Sequence, residues 1–453
     1  MTATIDRPQT IAGPPRRALL RMLAVMSTDR LGMMTDAARR YGDASRLPVG
    51  HKTLYFFNHP KHVKHVLTDN GANYRKGIGL VHARRALGDG LLTSEGELWH
   101  EQRKVIQPAF RARRVAEQAG TIAEEADRLV ARLRDAARAG RPVEVTDALT
   151  ELTLGVLGRA LLNADLSRFP GIGASFAAVQ DQAMFELATL STVPTWVPLP
   201  KQRRFRRARA HLQSVVDQLV REHDDGGDPE NDVLSRLIAS AAKEADPRVG
   251  RIRIRDELVT LLLAGHETTA STLSWTLHML DEHPQVWERL HAEATSVLGG
   301  SGPVTADALH GLRYTTMVIE EVMRLYPPVW LLPRAAIGPD VVGGFPVPAG
   351  ADVLVCPYTL HRHPAFWDDP ERFDPERFDP DRPTDRPRYA YVPFGAGQRF
   401  CVGNSLGMME AVLVTAILAR DLRLRKIPGR TVVAEPMLSL RVRGGLSMTV
   451  QDA

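Results

Sequence analysis

The stretch Phe394-Gly395-Ala396-Gly397-Gln398-Arg399-Phe400-Cys401-Val402-Gly403 decides how the chain is read, and it runs directly into the apolar segment Met408 to Leu418. A cysteine placed after a glycine-containing loop and at the mouth of a helical pattern meets unpaired backbone N–H groups and the positive end of the helix dipole. Both favour a thiolate over a thiol. Such a sulfur can ligate a metal. An isolated cysteine would ordinarily read as an inert buried thiol, but F-x-x-G-x-R-x-C-x-G spans ten residues and is far more specific than one cysteine. The second cysteine, Cys356, follows the β-run Val353-Leu354-Val355, lacks the glycine-arginine setting and reads as structural.

Working outward, the 453 residues are 44% hydrophobic and 25% charged, which suits a globular protein with a large core. Two cysteines make no disulfide framework and suit a reducing compartment, so the expected location is cytoplasmic. The apolar stretch Ala18 to Met26 is interrupted by Arg21 and is too short to span a bilayer, so no membrane anchor is expected. The formal charge of +5 modestly favours acidic partners. No helix-turn-helix, zinc-finger or RNA-binding motif accompanies it, so nucleic acid is not an expected partner. The dense run Lys201 to Arg209 opens a helical pattern continued by Leu212, Val215, Val216 and Leu219, and reads as a solvated helix face.

Along the chain, Leu19 to Tyr41 is helical in pattern and Ser45 to Pro60 has β character. Lys76 to Ser94, with four glycines and no clean period, reads as an irregular connection. Ala116 to Ala137, Val143 to Leu162 and Ala174 to Leu190 read as amphipathic helices, and Asp224 to Asp232 as a solvated loop capping the next one. After Leu325 the chain turns rich in proline and strand. The expected architecture is mainly α with small β-sheets, organised as a single domain over residues 1–453.

Four further elements precede the cysteine stretch: Trp99-x-x-x-Arg103, Ala264-Gly265-His266-Glu267-Thr268, Glu321-x-x-Arg324, and Pro375-Glu376-Arg377-Phe378. A glycine at mid-helix costs about 1 kcal/mol against alanine, so the second of these calls for a reason beyond helix propensity. Residues three or four apart share a helix face, so Trp99 can act with Arg103, and Glu321 with Arg324.

Together the five elements, in this order, resemble the cytochrome P-450 superfamily from about Trp99 to the end of the chain. The resemblance implies the fold of that family and heme b (Fe-protoporphyrin IX) with Cys401 as the axial, metal-binding ligand. Phe394, Gly397, Arg399 and Gly403 would form the ligand loop. Trp99, Arg103, Arg334 and Arg399 would anchor the heme propionates, with three cations for two carboxylates. Ala264 and Gly265 would leave room for dioxygen, and Thr268 and Glu267 would deliver protons to it. His266 has no assigned role. Glu321, Arg324 and Arg377 would lock the core. Arg377 is preferred to Arg372, which occupies a similar tetrapeptide, because the run from Trp367 through Phe373 to Phe378 follows the family's spacing. Ile78, Leu80, Val81, Phe185, Leu261, Val329, Leu332 and Leu438 would line an apolar substrate pocket.

The implied activity is that of a soluble bacterial monooxygenase. It would insert one oxygen atom of O2 into a hydrophobic small molecule, by hydroxylation or epoxidation, in secondary metabolism. Terpenoids, polyketides, fatty acids and steroids are the open substrate classes. Electrons would come from a ferredoxin with its reductase, or from a flavodoxin, docking on a monomer where Lys104, Arg111, Arg113 and Arg114 offer positive charge. The alternatives are a phenol-coupling oxidase on the same fold and a heme-thiolate sensor without turnover.

Overall fold

The computed structural model describes residues 11–15, 18, 25, 28–49, 52–189, 192–194, 196–223, 232–300 and 302–453. In chain order the longer helices are α1 (Arg30–Tyr41), α2 (Ile78–Leu87), α3 (Gly96–Ile106), α4 (Ala119–Arg138), α5 (Val145–Leu162), α6 (Ile172–Ala188), α7 (Pro200–His223), α8 (Val233–Ala241), α9 (Pro247–Glu282), α10 (Pro284–Leu298), α11 (Arg313–Leu325) and α12 (Asn404–Asp421). The strands are β1 (Ala44–Val49), β2 (Lys52–Phe57), β3 (Tyr74–Lys76), β4 (Val143–Glu144), β5 (Leu332–Ala336), β6 (Asp340–Val342), β7 (Phe345–Val347), β8 (Asp352–Val355), β9 (Leu422–Lys426), β10 (Ala434–Pro436), β11 (Leu440–Val442) and β12 (Ser447–Asp452). The protein is mainly α with small separate sheets.

Two compact units divide the chain. The first comprises the residues up to His82 together with Val329–Arg372 and Pro383–Cys401. Its sheet has the order β1-β2-β8-β5-β3, with β2 and β8 parallel. Phe57, Val63, Val66, Val353 and Val355 are fully buried in its apolar core. Early and late segments are thus joined through a sheet that neither could complete alone. The second unit comprises Ala83–Pro328, Phe373–Arg382 and Val402–Ala453. It holds the helices from α3 to α12 and two small sheets, β4-β12-β9 and β10-β11.

Capping follows the expected chemistry. The Asp246 side chain accepts from the Arg248 N–H ahead of Pro247 at the start of α9, and Asp232 accepts from the Ser235 N–H at the start of α8. The rest of the expected loop from Asp224, and most of the expected helical start near Leu19, lie outside the described residues.

One expectation is corrected. Lys76 to Ser94 is not irregular throughout, because it contains helix α2. Three of its four glycines flank the helix rather than interrupting it. The Gly77 carbonyl accepts from the Val81 N–H at 3.3 Å, and the Gly88 N–H donates to the Arg84 carbonyl at 2.9 Å. Gly88, at φ +82°, then ends the helix in the left-handed conformation that favours glycine. Only Gly79 lies inside.

Candidate active site

In the first unit the cysteine stretch is a closed loop. The Gly395 N–H donates to the Val392 carbonyl at 3.0 Å, Phe400 to Gly397 at 3.1 Å, and the Cys401 N–H reaches back to the Phe394 carbonyl at 3.0 Å. Gly395 and Gly397 adopt φ of +72° and +68°. A Cβ on Gly397 would stand 1.8 Å from the Leu67 carbonyl oxygen, so no side chain fits there without moving backbone. The Phe394 and Phe400 rings meet edge-on at 6.4 Å. Cys401 is exposed and Arg399 half-buried.

On β5 of the same unit Arg334 is buried, and its Nη1 donates to the Pro333 carbonyl at 3.0 Å. Of the expected pocket residues here, Ile78, Leu80, Val329 and Leu332 are half-buried. Val81 is 54% exposed.

In the second unit α9 carries the oxygen-site motif midway along its length. Leu258, Leu261, Leu262, Leu263, His266, Thr269 and Ala270 are buried, yet Ala264 among them is exposed and Thr268, one turn on, is half-buried. The Thr268 hydroxyl donates to the Ala264 carbonyl at 2.8 Å, the back-bond that loosens a helix locally.

A Cβ on Gly265 would lie 2.7 Å from both Leu157 methyl groups, so a glycine here also permits the close approach of α5. His266, given no role from sequence, is wholly buried. Its Nδ1 bonds the Leu262 carbonyl, and its ring lies 4.9 Å from that of Phe176. Burial holds its pKa below the ordinary value.

Glu267 is positioned from two sides. Oε1 accepts from the Ser439 hydroxyl at 2.6 Å, and Oε2 lies 3.9 Å from His266 Nε2. Sequence reasoning missed Ser439, although it adjoins Leu438, an expected pocket residue. This segment is fastened to α9, because Ser271 Oγ and Trp275 Nε1 both donate to the Leu440 carbonyl, at 2.6 and 2.8 Å. Leu438, in that segment, is half-buried.

On α3 Trp99 is buried, and the Arg103 guanidinium lies 5.5 Å from its ring centre. Phe185 on α6 is half-buried beneath the Lys201 ammonium at 5.7 Å. Glu321 and Arg324 form a bidentate pair at 2.6 and 2.8 Å with both side chains fully buried. The Asp374 N–H donates to Glu321 Oε1 at 2.8 Å, and Arg377 Nε stands 3.6 Å from the same oxygen. A buried carboxylate thereby meets two cations and a backbone donor, the surroundings that a buried charge requires.

The residues fit a heme. In the first unit an accessible thiol follows a tightly closed glycine loop, which suits a soft axial ligand. In the second, helix α9, buried from Asp256 to Leu263, is bare at the small Ala264, one turn before the Thr268 hydroxyl. Paired Trp99 and Arg103 suit a carboxylate edge.

A helical protein with this cysteine loop and this Ala-Gly-x-Glu-Thr helix belongs to the heme-thiolate class. The family model for cytochrome P-450 matches residues 12–446. Among similar proteins are cyclooctatin synthase of Streptomyces melanosporofaciens, 36% identical over 88% of this chain and 87% of that protein, and cyclooctat-9-en-7-ol 5-monooxygenase of the same organism, 34% identical over 94% of both. Pentalenene oxygenase of Streptomyces avermitilis is 30% identical over 86% of both. The chain belongs to the cytochrome P-450 family, and it is a monooxygenase that inserts one oxygen atom of O2 into a hydrophobic small molecule. Its family implies heme b with a cysteine thiolate ligand.

Proposed function

We propose that the substrate is a terpenoid, that Cys401 is the axial ligand, and that Arg103, Arg334, Arg399 and Trp99 hold the propionates. The terpenoid reading is supported by the relatives named for cyclooctatin, cyclooctat-9-en-7-ol and pentalenene. The observation that carries the catalytic reading is the Thr268 hydroxyl bonded to the carbonyl of exposed Ala264, next to a Glu267 held by Ser439.

Heme, when bound, supplies the redox-active iron at which dioxygen is reduced. The chain's own groups do the rest. Thr268 commits its proton to the Ala264 carbonyl and keeps its lone pairs open, so Oγ1 can order a donor at the bare face of α9. Glu267 Oε2 is the proton carrier. Its side chain is 18% exposed, which leaves it a route to solvent, while Ser439 fixes its other oxygen. Neutral His266 beside it adds no competing charge.

The electron donor is a ferredoxin- or flavodoxin-type protein, and the enzyme works as a cytoplasmic monomer. Among the cations expected to meet an acidic donor, Arg113 and Arg114 share one carboxylate, Glu117, at 3.3 Å each, and the side chain of Arg113 stays 92% exposed. Positive charge therefore outnumbers negative there. Among the described residues no helix is long and apolar enough to cross a membrane.

Thr268→Ala tests the reading. NADPH oxidation with a reconstituted reductase should continue while product per NADPH falls about tenfold or more and hydrogen peroxide accumulates. Retained coupling would remove Thr268 from proton delivery.

A further inference from the structure

His266 is the residue of the Ala264 to Thr268 motif that the oxygenation chemistry leaves without a task, and its surroundings are more specific than packing requires. Its side chain is 2% exposed. The Phe176 ring of α6 packs against it, and α5 holds the same turn, because the Thr153 hydroxyl donates to the His266 carbonyl at 3.3 Å.

The Nδ1 contact fixes the tautomer. A carbonyl oxygen only accepts, so the bond to the Leu262 carbonyl places a proton on Nδ1. Burial keeps the ring neutral, and Nε2 is then left with a lone pair that can only accept. Burying such an acceptor has a cost that a phenylalanine would avoid. Something must donate to it.

Among the described residues, the charge that acts on His266 is the neighbouring Glu267, whose Oε2 lies 3.9 Å from Nε2. α5 and α6 bring only the Thr153 hydroxyl and the Phe176 ring to it. As a carboxylate Glu267 is an acceptor too, and two acceptors cannot bond each other. Once Oε2 carries a proton it becomes the missing donor. Ser439 holds the other oxygen, Oε1, at 2.6 Å, so a small turn of the carboxyl about that contact brings Oε2 to Nε2.

We propose that His266 is a positioning residue for proton delivery: its Nε2 accepts from the protonated Oε2 of Glu267 and holds that carboxyl in place between proton uptake from solvent and release at the bare face of α9. The inference rests on Glu267 being the proton carrier. Protons balance without any change of charge on His266, since Oε2 gains one from solvent and passes one to the donor that Thr268 orders. Both side chains are set by the helix itself, His266 through the Leu262 carbonyl and Thr268 through the Ala264 carbonyl.

Two variants separate this role from packing. His266→Phe keeps a ring against Phe176 and removes the acceptor, whereas His266→Gln keeps both a donor for Leu262 and an acceptor for Glu267. Infrared difference spectra of the heme-loaded, carbon monoxide-bound protein at mildly acidic pH read the carboxyl stretch of protonated Glu267, assigned by its loss in Glu267→Gln. The band should lie at the lower frequency of a hydrogen-bonded carboxyl in the parent and in His266→Gln, and move up in His266→Phe. Nitrogen-15 NMR of the parent should show His266 neutral with its proton on Nδ1, a readout that needs no variant to fold. Product per NADPH should fall about fivefold in His266→Phe and return in His266→Gln, with substrate KM unchanged. One band frequency in parent and both variants, a proton on Nε2, or a coupling loss that His266→Gln does not restore would overturn the proposal. Full coupling in Glu267→Gln would instead overturn the carrier reading beneath it, whatever the band does.

Discussion

The two cysteines of this chain lie in the same compact unit and are chemically opposite. Cys356 directly follows β8, is fully buried, and donates from Sγ to the Trp330 carbonyl at 3.1 Å. Burial pushes its thiol up to about 11, so it stays protonated and inert. Cys401 is exposed at the end of a loop whose glycines take left-handed backbone and whose ends are tied by the Cys401–Phe394 hydrogen bond. Backbone geometry and access, rather than residue type, decide which sulfur is available to a metal.

The contrast can be broken experimentally. The largest effect is expected from exchanging the sulfurs singly. Cys401→Ser should abolish product formation, while Cys356→Ser should keep most of it and lose only about 1 kcal/mol of stability. Equal loss in both would erase the distinction.

Next in size is a comparison of the loop's glycines. Gly397→Ala combines positive φ with a clash against Leu67, and should cost several kcal/mol or prevent heme retention. Gly395→Ala meets nothing within 4 Å and should cost only about 1 kcal/mol. Denaturant midpoints and heme content measure both.

The smallest effect concerns pH. Burial lowers the pKa of His59, His62 and His266, and brings His278 to about 4. Below the unfolded value near 6.5 the unfolded chain binds more protons than the folded one, so stability is retained above that pH and falls as pH drops toward 4. His278→Gln should flatten the slope of unfolding free energy in that window, and an unchanged slope would show that other groups set it.

The motifs were legible in sequence because local pattern carries them. The cysteine loop needs glycines at fixed places, Glu321 and Arg324 are one turn apart, and Arg377 is separable from Arg372 by the spacing that the resembled family keeps. What depended on tertiary neighbours was not legible. Gly265 follows the family pattern, but its missing side chain also answers to Leu157 on another helix. Ser439 reaches Glu267 across 172 positions, and no periodicity reports such a contact. The glycines around α2 masked a helix because composition counts them without saying that they flank it.

The central claim is that the Cys401 sulfur ligates the heme iron, and its most direct measurement is the absorbance of the reduced, carbon monoxide-bound protein. The account predicts the band characteristic of thiolate ligation in the parent and in Cys356→Ser, and its absence in Cys401→Ser. Persistence of that band in Cys401→Ser would contradict it.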